Sequence, residues 1–409
     1  MTRRHPDTGQ QWWVVLGLFS VTSLIETMGV SQITAFLPLD LQVMGVSAAA
    51  IPRFVGLLNA LVFVFGLPLV PLWGVLADKY SRKLIITRSA IVEAIVFAAI
   101  AASRHPAQLA VSLLLVGFQL GNTGVMLAAI RDVTPQARLG TAMAVFGASS
   151  SVGFAAGPAM GGLLLDRAHT PLAAVFAVSS ALSIASAIML GAWLREVRPR
   201  VVPTGAVLSL ARSALGGLFT DRSTRHLFGL FGCMMLARQM SSPFLPLLVE
   251  QVHGNSAALA SAIALVVGAP ALVGGIVSPV AGAIGDRVGF RPVLVAALTG
   301  AAAMLVAMPA MSTVTWLAVA NGLAATCYAA VGAMIYGLLA LTVPPDRRSA
   351  TLNLIYLPLY LAGIAGPAAG ALLGVLGLGA IYDAAALVVA LAVALEFGAA
   401  ARHYRRRAA

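Results

Sequence analysis

Two ionisable side chains stand in the middle of long apolar runs, and they are the residues on which chemistry can turn. Glu26 lies in S-L-I-E-T-M-G and Arg238 in L-A-R-Q-M. A charge in hydrocarbon is expensive, so such groups face a partner or an aqueous cavity. A carboxyl at Glu26 can take up a proton or bind a cation, but not both at once, which makes it a candidate proton carrier. Glu93, in I-V-E-A-I, is a third such charge. Asp383 and Glu396 fall toward opposite ends of the last apolar run, where interfacial water would solvate them. Covalent chemistry has no comparable support. There is no G-x-x-x-x-G-K-[ST] loop, no H-E-x-x-H and no metal-spaced Cys/His cluster among six histidines. Cys233 and Cys327 sit in apolar runs and read as buried free thiols. No enzymatic activity, cofactor or metal is expected.

The elements that hold these charges follow from composition. Hydrophobic residues make up 60% of the chain and charged residues 10%, with a mean hydropathy of +0.94, outside the range of soluble domains. A membrane span needs roughly 20 mainly apolar residues. Twelve such stretches are expected, at 12–37, 52–73, 84–103, 107–130, 140–165, 171–194, 226–249, 257–280, 292–311, 314–341, 350–375 and 379–400. They do not alternate apolar with polar residues, so the fold class is all-α membrane rather than a β-barrel. The first stretch is too long for a signal-peptide core.

Basic residues fall in alternate connections: Arg3 and Arg4; Lys79, Arg82, Lys83 and Arg88; Arg131 and Arg138; the 195–225 segment; Arg287 and Arg291; Arg347 and Arg348; and the C-terminal arginines. The intervening connections hold only Arg53, Arg104 and Arg167. The positive-inside rule then puts both termini in the cytoplasm. This distribution explains the net charge of +12 without nucleic acid, which would need a clustered basic face.

The two halves repeat. Phe36-Leu37-Pro38-Leu39 recurs as Phe244-Leu245-Pro246-Leu247, Gly74 and Asp78 recur as Gly282 and Asp286, and Arg138 and Gly157-Pro158 recur one residue further along as Arg347 and Gly366-Pro367. The expected organisation is a six-helix bundle at 1–194, a cytoplasmic linker at 195–225 with a surface helix over 209–219, and a second bundle at 226–409. Repeats of like orientation leave a substrate site at the midplane between them.

The loop from Gly74 to Lys83 reads G-V-L-A-D-K-Y-S-R-K, and its counterpart from Gly282 to Arg291 reads G-A-I-G-D-R-V-G-F-R. Over its whole length the chain resembles the major facilitator superfamily, whose signature is G-x-x-x-D-[RK]-x-G-[RK]-[RK]. The resemblance makes Gly74, Asp78, Arg82 and Lys83, with Asp132 and the repeat residues Gly282, Asp286, Arg287 and Arg291, a cytoplasmic gate. Arg131 would join the Asp78 network, and Ser81 replaces the usual glycine. The run Gly153 to Gly162 matches the G-x-x-x-G-P-x-x-G-G element of exporters in that superfamily, through Gly153, Gly157, Pro158, Gly161 and Gly162. Small residues at this spacing allow close helix packing and the proline bends the helix. A partial copy comprises Gly363, Gly366, Pro367 and Gly370.

The resemblance implies a twelve-helix secondary exporter of amphipathic, drug-like molecules in a bacterial inner membrane, working by alternating access, exchanging substrate for protons and acting as a monomer. Glu26 and Arg238 would then face each other across the central cavity, with Glu93 on a peripheral helix. Gln32, Asn59, Gln119, Asn122, Gln239, Tyr328, Tyr336, Asn353, Tyr356 and Tyr360 are the polar candidates for that cavity, and Met28, Met126, Met234, Met235 and Met240 its adaptable apolar surface. Gly117 stands where many proton-coupled relatives carry an arginine in span four, which weakens the case for proton coupling. The alternative is an exporter dedicated to one metabolite, such as a sugar or siderophore. With one clear tryptophan, Trp316, and few amides, a sugar site is the less favoured.

Overall fold

In hydrocarbon every peptide N–H and C=O must be paired within its own segment, so long apolar runs become helices. The computed structural model describes residues 10–199, 222–254, 257–342 and 356–408, and these are helical almost throughout. Span one is α1 (Trp12–Val43). Span two is α2 (Ile51–Val64) and α3 (Gly66–Lys79), and span three is α4 (Arg82–Ala102). Span four is divided into α5 (Pro106–Val116) and α6 (Asn122–Val133). Spans five and six are α7 (Leu139–Gly162) and α8 (Leu172–Trp193). In the second half, span seven is α9 (Arg222–Ser241) and α10 (Leu245–His253). The rest are α11 (Leu259–Val288), α12 (Phe290–Ala307), α13 (Val314–Thr342), α14 (Tyr356–Leu373) and α15 (Leu378–Ala408).

Ten described segments are long and apolar enough to cross a membrane; the divided spans four and seven complete twelve crossings. Span four breaks because Gly121 adopts φ +100°, a conformation costly for any residue with a Cβ. Its repeat equivalents explain the contrast with span ten, where Ala325 and Ala329 stand in place of Gly117 and Gly121 and α13 runs unbroken. Span seven breaks at Pro243, which lacks the N–H a helix needs, whereas α1 has Ala35 there and continues. Of the 195–225 segment, the structure describes 195–199 and 222–225; the surface helix expected over 209–219 lies outside the described residues.

The helices are inverted relative to those of a water-soluble protein. On α15, Leu387, Leu391 and Leu395 form an exposed stripe, and on α4 Ile91 and Ile95 point outward while Ser89 and Glu93 point in. Apolar side chains meet lipid and polar ones are gathered inside.

The most extensive contacts between halves are two helix pairs, α7 with α11 and α2 with α14. Both are tight at the end away from the basic loops. A Cβ on Gly162 would press on Ala260 and Ser261, one on Gly268 on Ala155, one on Gly56 on Pro367 and Ala371, and one on Gly363 on Phe63. Toward the basic end the described helices part, and a Cβ on Gly74, Gly147 or Gly282 would meet nothing within 4 Å. The core follows the same division. One cluster of buried apolar residues crosses between halves through Phe36, Leu37, Phe244 and Leu245, whereas a second, around Phe19, Ile86 and Met126, belongs to the N-terminal half alone.

The glycine-rich run of α7 has a more local role than an interface between halves. Gly153 lies on the Leu24 carbonyl and Thr27, Gly157 on the Met28 carbonyl and Ser31, and Gly161 on Phe36. Its glycines therefore seat α7 against α1 in the same half, and of those glycines only Gly162 reaches α11. Pro158 is accommodated inside a continuous helix. Gly157→Ala should cost about 1–3 kcal/mol because the new methyl drives into backbone, whereas Gly147→Ala should leave the melting temperature unchanged or raised, as measured by thermal unfolding in detergent.

Candidate functional site

Between α7 and the C-terminal half lies a cavity of about 930 Å³. Its N-terminal wall is Thr27 and the Ala144–Phe154 stretch of α7; the rest comes from α9, α10, α11, α12, α13 and α15 and the turns after α9 and α12, with Tyr328, Asn321, Tyr382, Ser241 and Ser242 among the polar groups. Pro270 and Pro279 of α11 both line it. Pro270 cannot donate to the carbonyl of Val266, and the Asn321 amide donates to that oxygen instead at 2.8 Å. Arg238 is the one charged residue among the described lining residues. It is exposed although mid-span, and the space it is exposed to is this cavity. Its guanidinium stands 6.0 Å from the ring centre of Tyr328, whose buried hydroxyl makes no hydrogen bond.

Glu26 does not face Arg238. It turns into the N-terminal half, 7% exposed, where the Asn122 amide donates to its carboxylate at 3.0 Å. Glu93, 2% exposed, comes from α4 to the same place. Its Oε1 lies against Gly29, one turn from Glu26 on α1, makes no hydrogen bond, and is within electrostatic reach of Glu26. Gln119 borders both carboxylates, and the Ser89 hydroxyl donates to the Gln119 backbone carbonyl at 2.7 Å. α4 exposes Ile91 and Ile95 on its outer side, but it packs along α8 and touches α1, and Glu93 is on its inward face. Gly117 is explained by space, since a Cβ there would strike Phe65 and the backbone of Gly66 at the α2–α3 junction. No side chain fits.

At the basic end, Arg82 is buried and bridges Asp78 at 2.8 Å and Asp132 at 2.9 Å. Exposed Arg131 adds a longer contact to Asp132, 3.6 Å. Ser81 needs no glycine-like conformation: with φ −159° it caps α4, accepting from the Leu84 N–H at 3.0 Å. The Glu196 carboxylate also sits at this helix start, accepting from the Ser81 hydroxyl and from the Arg82 N–H at 2.9 Å. Lys83 donates to the Gly191 carbonyl at the end of α8. The second loop does not reproduce this arrangement. Phe290 takes the place of Arg82 and packs against Gly285 and Gly337, Asp286 and Arg287 are exposed, and Arg291 approaches Glu396 at 3.6 Å. Glu396, expected to be solvated, is buried with His226 at 2.7 Å; Asp383 is exposed.

At the opposite end the halves are joined by polar contacts. The Gln42 amide donates to both Glu250 oxygens, at 2.8 and 2.9 Å, and these two residues occupy equivalent repeat positions. Asp166 accepts from the Ser261 N–H at 2.6 Å. It supplies to the first turn of α11 the cap that Ala258 cannot.

Signature loop, repeated halves and interface cavity match one known architecture. A model of the Major Facilitator Superfamily fits residues 16–269 and 227–408. The chain belongs to the Major Facilitator Superfamily. "Multidrug resistance protein MdtG" of Salmonella typhi is 27% identical over 285 residues, 69% of each chain. Among solved structures, the occupied, inward-facing bacterial homologue of the human lysosomal transporter Spinster aligns with 95% of this chain and 96% of its own, at 17% identity and a TM-score of 0.75. The human organic anion transporter MFSD10 (TETRAN) aligns with 95% and 100%, at 18% identity and a TM-score of 0.65.

The polar residues expected of a superfamily cavity are dispersed. Of those described, Tyr328 lines it with Arg238. Gln32 is a clasp inside the N-terminal half, donating to the Gly157 carbonyl and accepting from Ser179 at 2.5 Å. Asn59 donates to Val55 of its own helix. Gln239 abuts Gly366, and Tyr336 packs on Phe231. Tyr360 meets Phe63 across the halves. Asn353 lies outside the described residues, and Tyr356 opens α14. The five methionines are packing residues, all buried and none in the cavity wall. Sequence reading missed Thr27, Asn321 and Tyr382 as lining residues; the proline at 270 was the one clue to Asn321.

The Asp78–Arg82–Asp132 bridge gives a stability prediction for this superfamily loop. Arg82→Met takes the buried guanidinium away from both Asp78 and Asp132 and should cost on the order of 3–5 kcal/mol. Arg131→Met, on the exposed side of the same carboxylate, should cost less than about 1 kcal/mol. Thermal unfolding of the two variants in one detergent checks the contrast.

Proposed function

We propose that the protein exports small amphipathic, drug-like molecules by alternating access, in exchange for protons. The observation that carries this reading is on α1, where neighbouring residues serve two compartments. Glu26 joins the carboxyl cluster with Glu93, and Thr27 lines the cavity. Two carboxyls brought together in a membrane interior repel each other when both are charged, which makes the pair a place where a proton can be taken up and given back. Losing or gaining it changes the charge opposite Asn122, hence the grip between α1 and α6, while the next residue of α1 touches the substrate space. Proton and substrate thereby act on one helix.

With the basic end taken as cytoplasmic, helices parted there and joined at Gln42–Glu250 and Asp166–Ser261 correspond to a cavity loading from the inside. Release requires the joined end to open. The match to a relative named for multidrug resistance and the largely apolar wall favour drug-like substrates over a sugar, which would call for more amides.

In proteoliposomes under an imposed pH gradient, Glu26→Gln and Glu93→Gln should each reduce gradient-driven transport at least about tenfold, while substrate exchange at equal pH persists. Undiminished gradient-driven transport by Glu26→Gln would remove the coupling role of that residue. Alternating access has its own test. With Cys233 and Cys327 replaced by Ser, Gln42→Cys and Glu250→Cys joined by a short thiol-reactive linker should stop transport, and cleaving the linker should restore it. Transport at full rate through the linked protein would sink the mechanism.

A further inference from the structure

The charge in the cavity has the opposite sign from the one a site for cationic drugs would use. Glu26 and Glu93 are walled into the N-terminal half, and no carboxylate appears among the described residues lining the cavity. Arg238 is there instead, exposed to the space and without an acidic partner among the described residues. Beside it the Tyr328 hydroxyl is buried with no hydrogen bond made. Neighbouring donors are otherwise engaged: Ser241 donates to the Ala237 carbonyl at 2.9 Å, Tyr382 to the Ser241 carbonyl at 3.3 Å, and Asn321 to the Val266 carbonyl. Arg238 is thus the one cation in the described wall, with the Tyr328 hydroxyl beside it and the hydroxyls of Ser151, Ser242 and Ser278 elsewhere in the lining. The wall around Arg238 and Tyr328 is apolar, from Leu245, Val267, Leu272 and Ile276.

We propose that this cavity is a site for amphiphiles with an anionic head group, a carboxylate, sulfonate or phosphate ester held by Arg238 and Tyr328 with its apolar body along α11. The inference rests on the transporter reading for how the ligand leaves, but not for how it is bound. A guanidinium presents a fork of N–H donors that matches two oxygens of such a head group, and a phenol adds a third donor. Neutral amphiphiles fit the apolar wall but leave the guanidinium unanswered. Cationic ones meet repulsion. A monoanion leaving the cytoplasm is also driven outward by an inside-negative potential, whereas a cation is held back.

The test uses three probes sharing one fluorophore and one alkyl chain: 11-(dansylamino)undecanoic acid, its methyl ester and the corresponding undecylammonium compound. Binding is measured to the full chain in phosphatidylcholine nanodiscs, with empty nanodiscs as the partition control, and transport in proteoliposomes of the same lipid. The wild type should bind the carboxylate most tightly. Arg238→Gln should weaken carboxylate binding about 10- to 100-fold, the range for hydrogen bonds to a charged group, and leave the ester within about twofold, with Arg238→Lys recovering part of the loss. Tyr328→Phe should weaken the carboxylate selectively by a smaller factor, which keeps the test alive if Arg238→Gln does not fold. Equal or tighter binding of the ammonium probe by wild type overturns the inference, as does a carboxylate preference that survives Arg238→Gln. Carboxylate-selective binding with no probe crossing the bilayer would uphold the site and overturn the transporter reading instead.

Discussion

Hydrocarbon solvates neither peptide groups nor charges, and the arrangement of this molecule is the set of answers to that constraint. Within the N-terminal half the answer is mutual satisfaction. Ser23 bonds Ser150 at 2.6 Å, Ser180 donates to the Ala94 carbonyl, and Gln32 ties α1 to α7 and α8. Arg82 is answered by two carboxylates. Arg238 has a different answer, a cavity around it. A mid-span charge that has open space rather than a partner around it separates the cavity from the packed part of the interior.

Helix association in a bilayer has little hydrophobic drive and depends on close fit. α7 meets that requirement on two sides at once. Its own glycines accept α1, while the glycines of α11, Gly268 and Gly275, accept Ala155 and Ser151 of α7. The first contact lies within a half and the second between halves. Breaking the second leaves each bundle intact, because Arg82, Glu196 and Gln32 make their contacts inside one bundle. Two halves that are internally fastened, and joined at one end by packed helices and a few polar contacts, are mechanically suited to rocking.

Spans, repeat and signature loops were legible because hydropathy and spacing run along the chain. What hydropathy does not encode is azimuth, the side of a helix on which a residue falls. Glu26 and Arg238 were correctly singled out as mid-span charges, but their pairing failed because Glu26 lies on the face of α1 turned to α6, with Thr27 on the face turned to the cavity. That Glu93 would meet Glu26 was hidden for the same reason, since its partner is on another helix 67 residues earlier in sequence and no pattern local to α4 points there. The Asp78 network was legible to the extent that Asp132 ends span four; that Arg82 would be buried was not, because arginine in a basic loop reads as solvated. Gly117 was visible as a departure from the family, but its cause, the backbone of Gly66, is a tertiary contact.

The repeat also shows where the halves have parted company. At the equivalents of Glu26, Glu93 and Asn122 the C-terminal half has Met234, Ala301 and Ala330, all buried and apolar. At the equivalent of Arg238 the N-terminal half has Val30. Had duplication alone set these positions, each half would carry both sets or neither. Instead the titratable cluster is confined to one half and the cavity cation to the other, and α1, which presents Glu26 to the cluster and Thr27 to the cavity, is the element common to both. In the proton exchange we propose, this separation keeps either charge from neutralising the other directly, and communication would run through the position of α1 rather than through an ion pair.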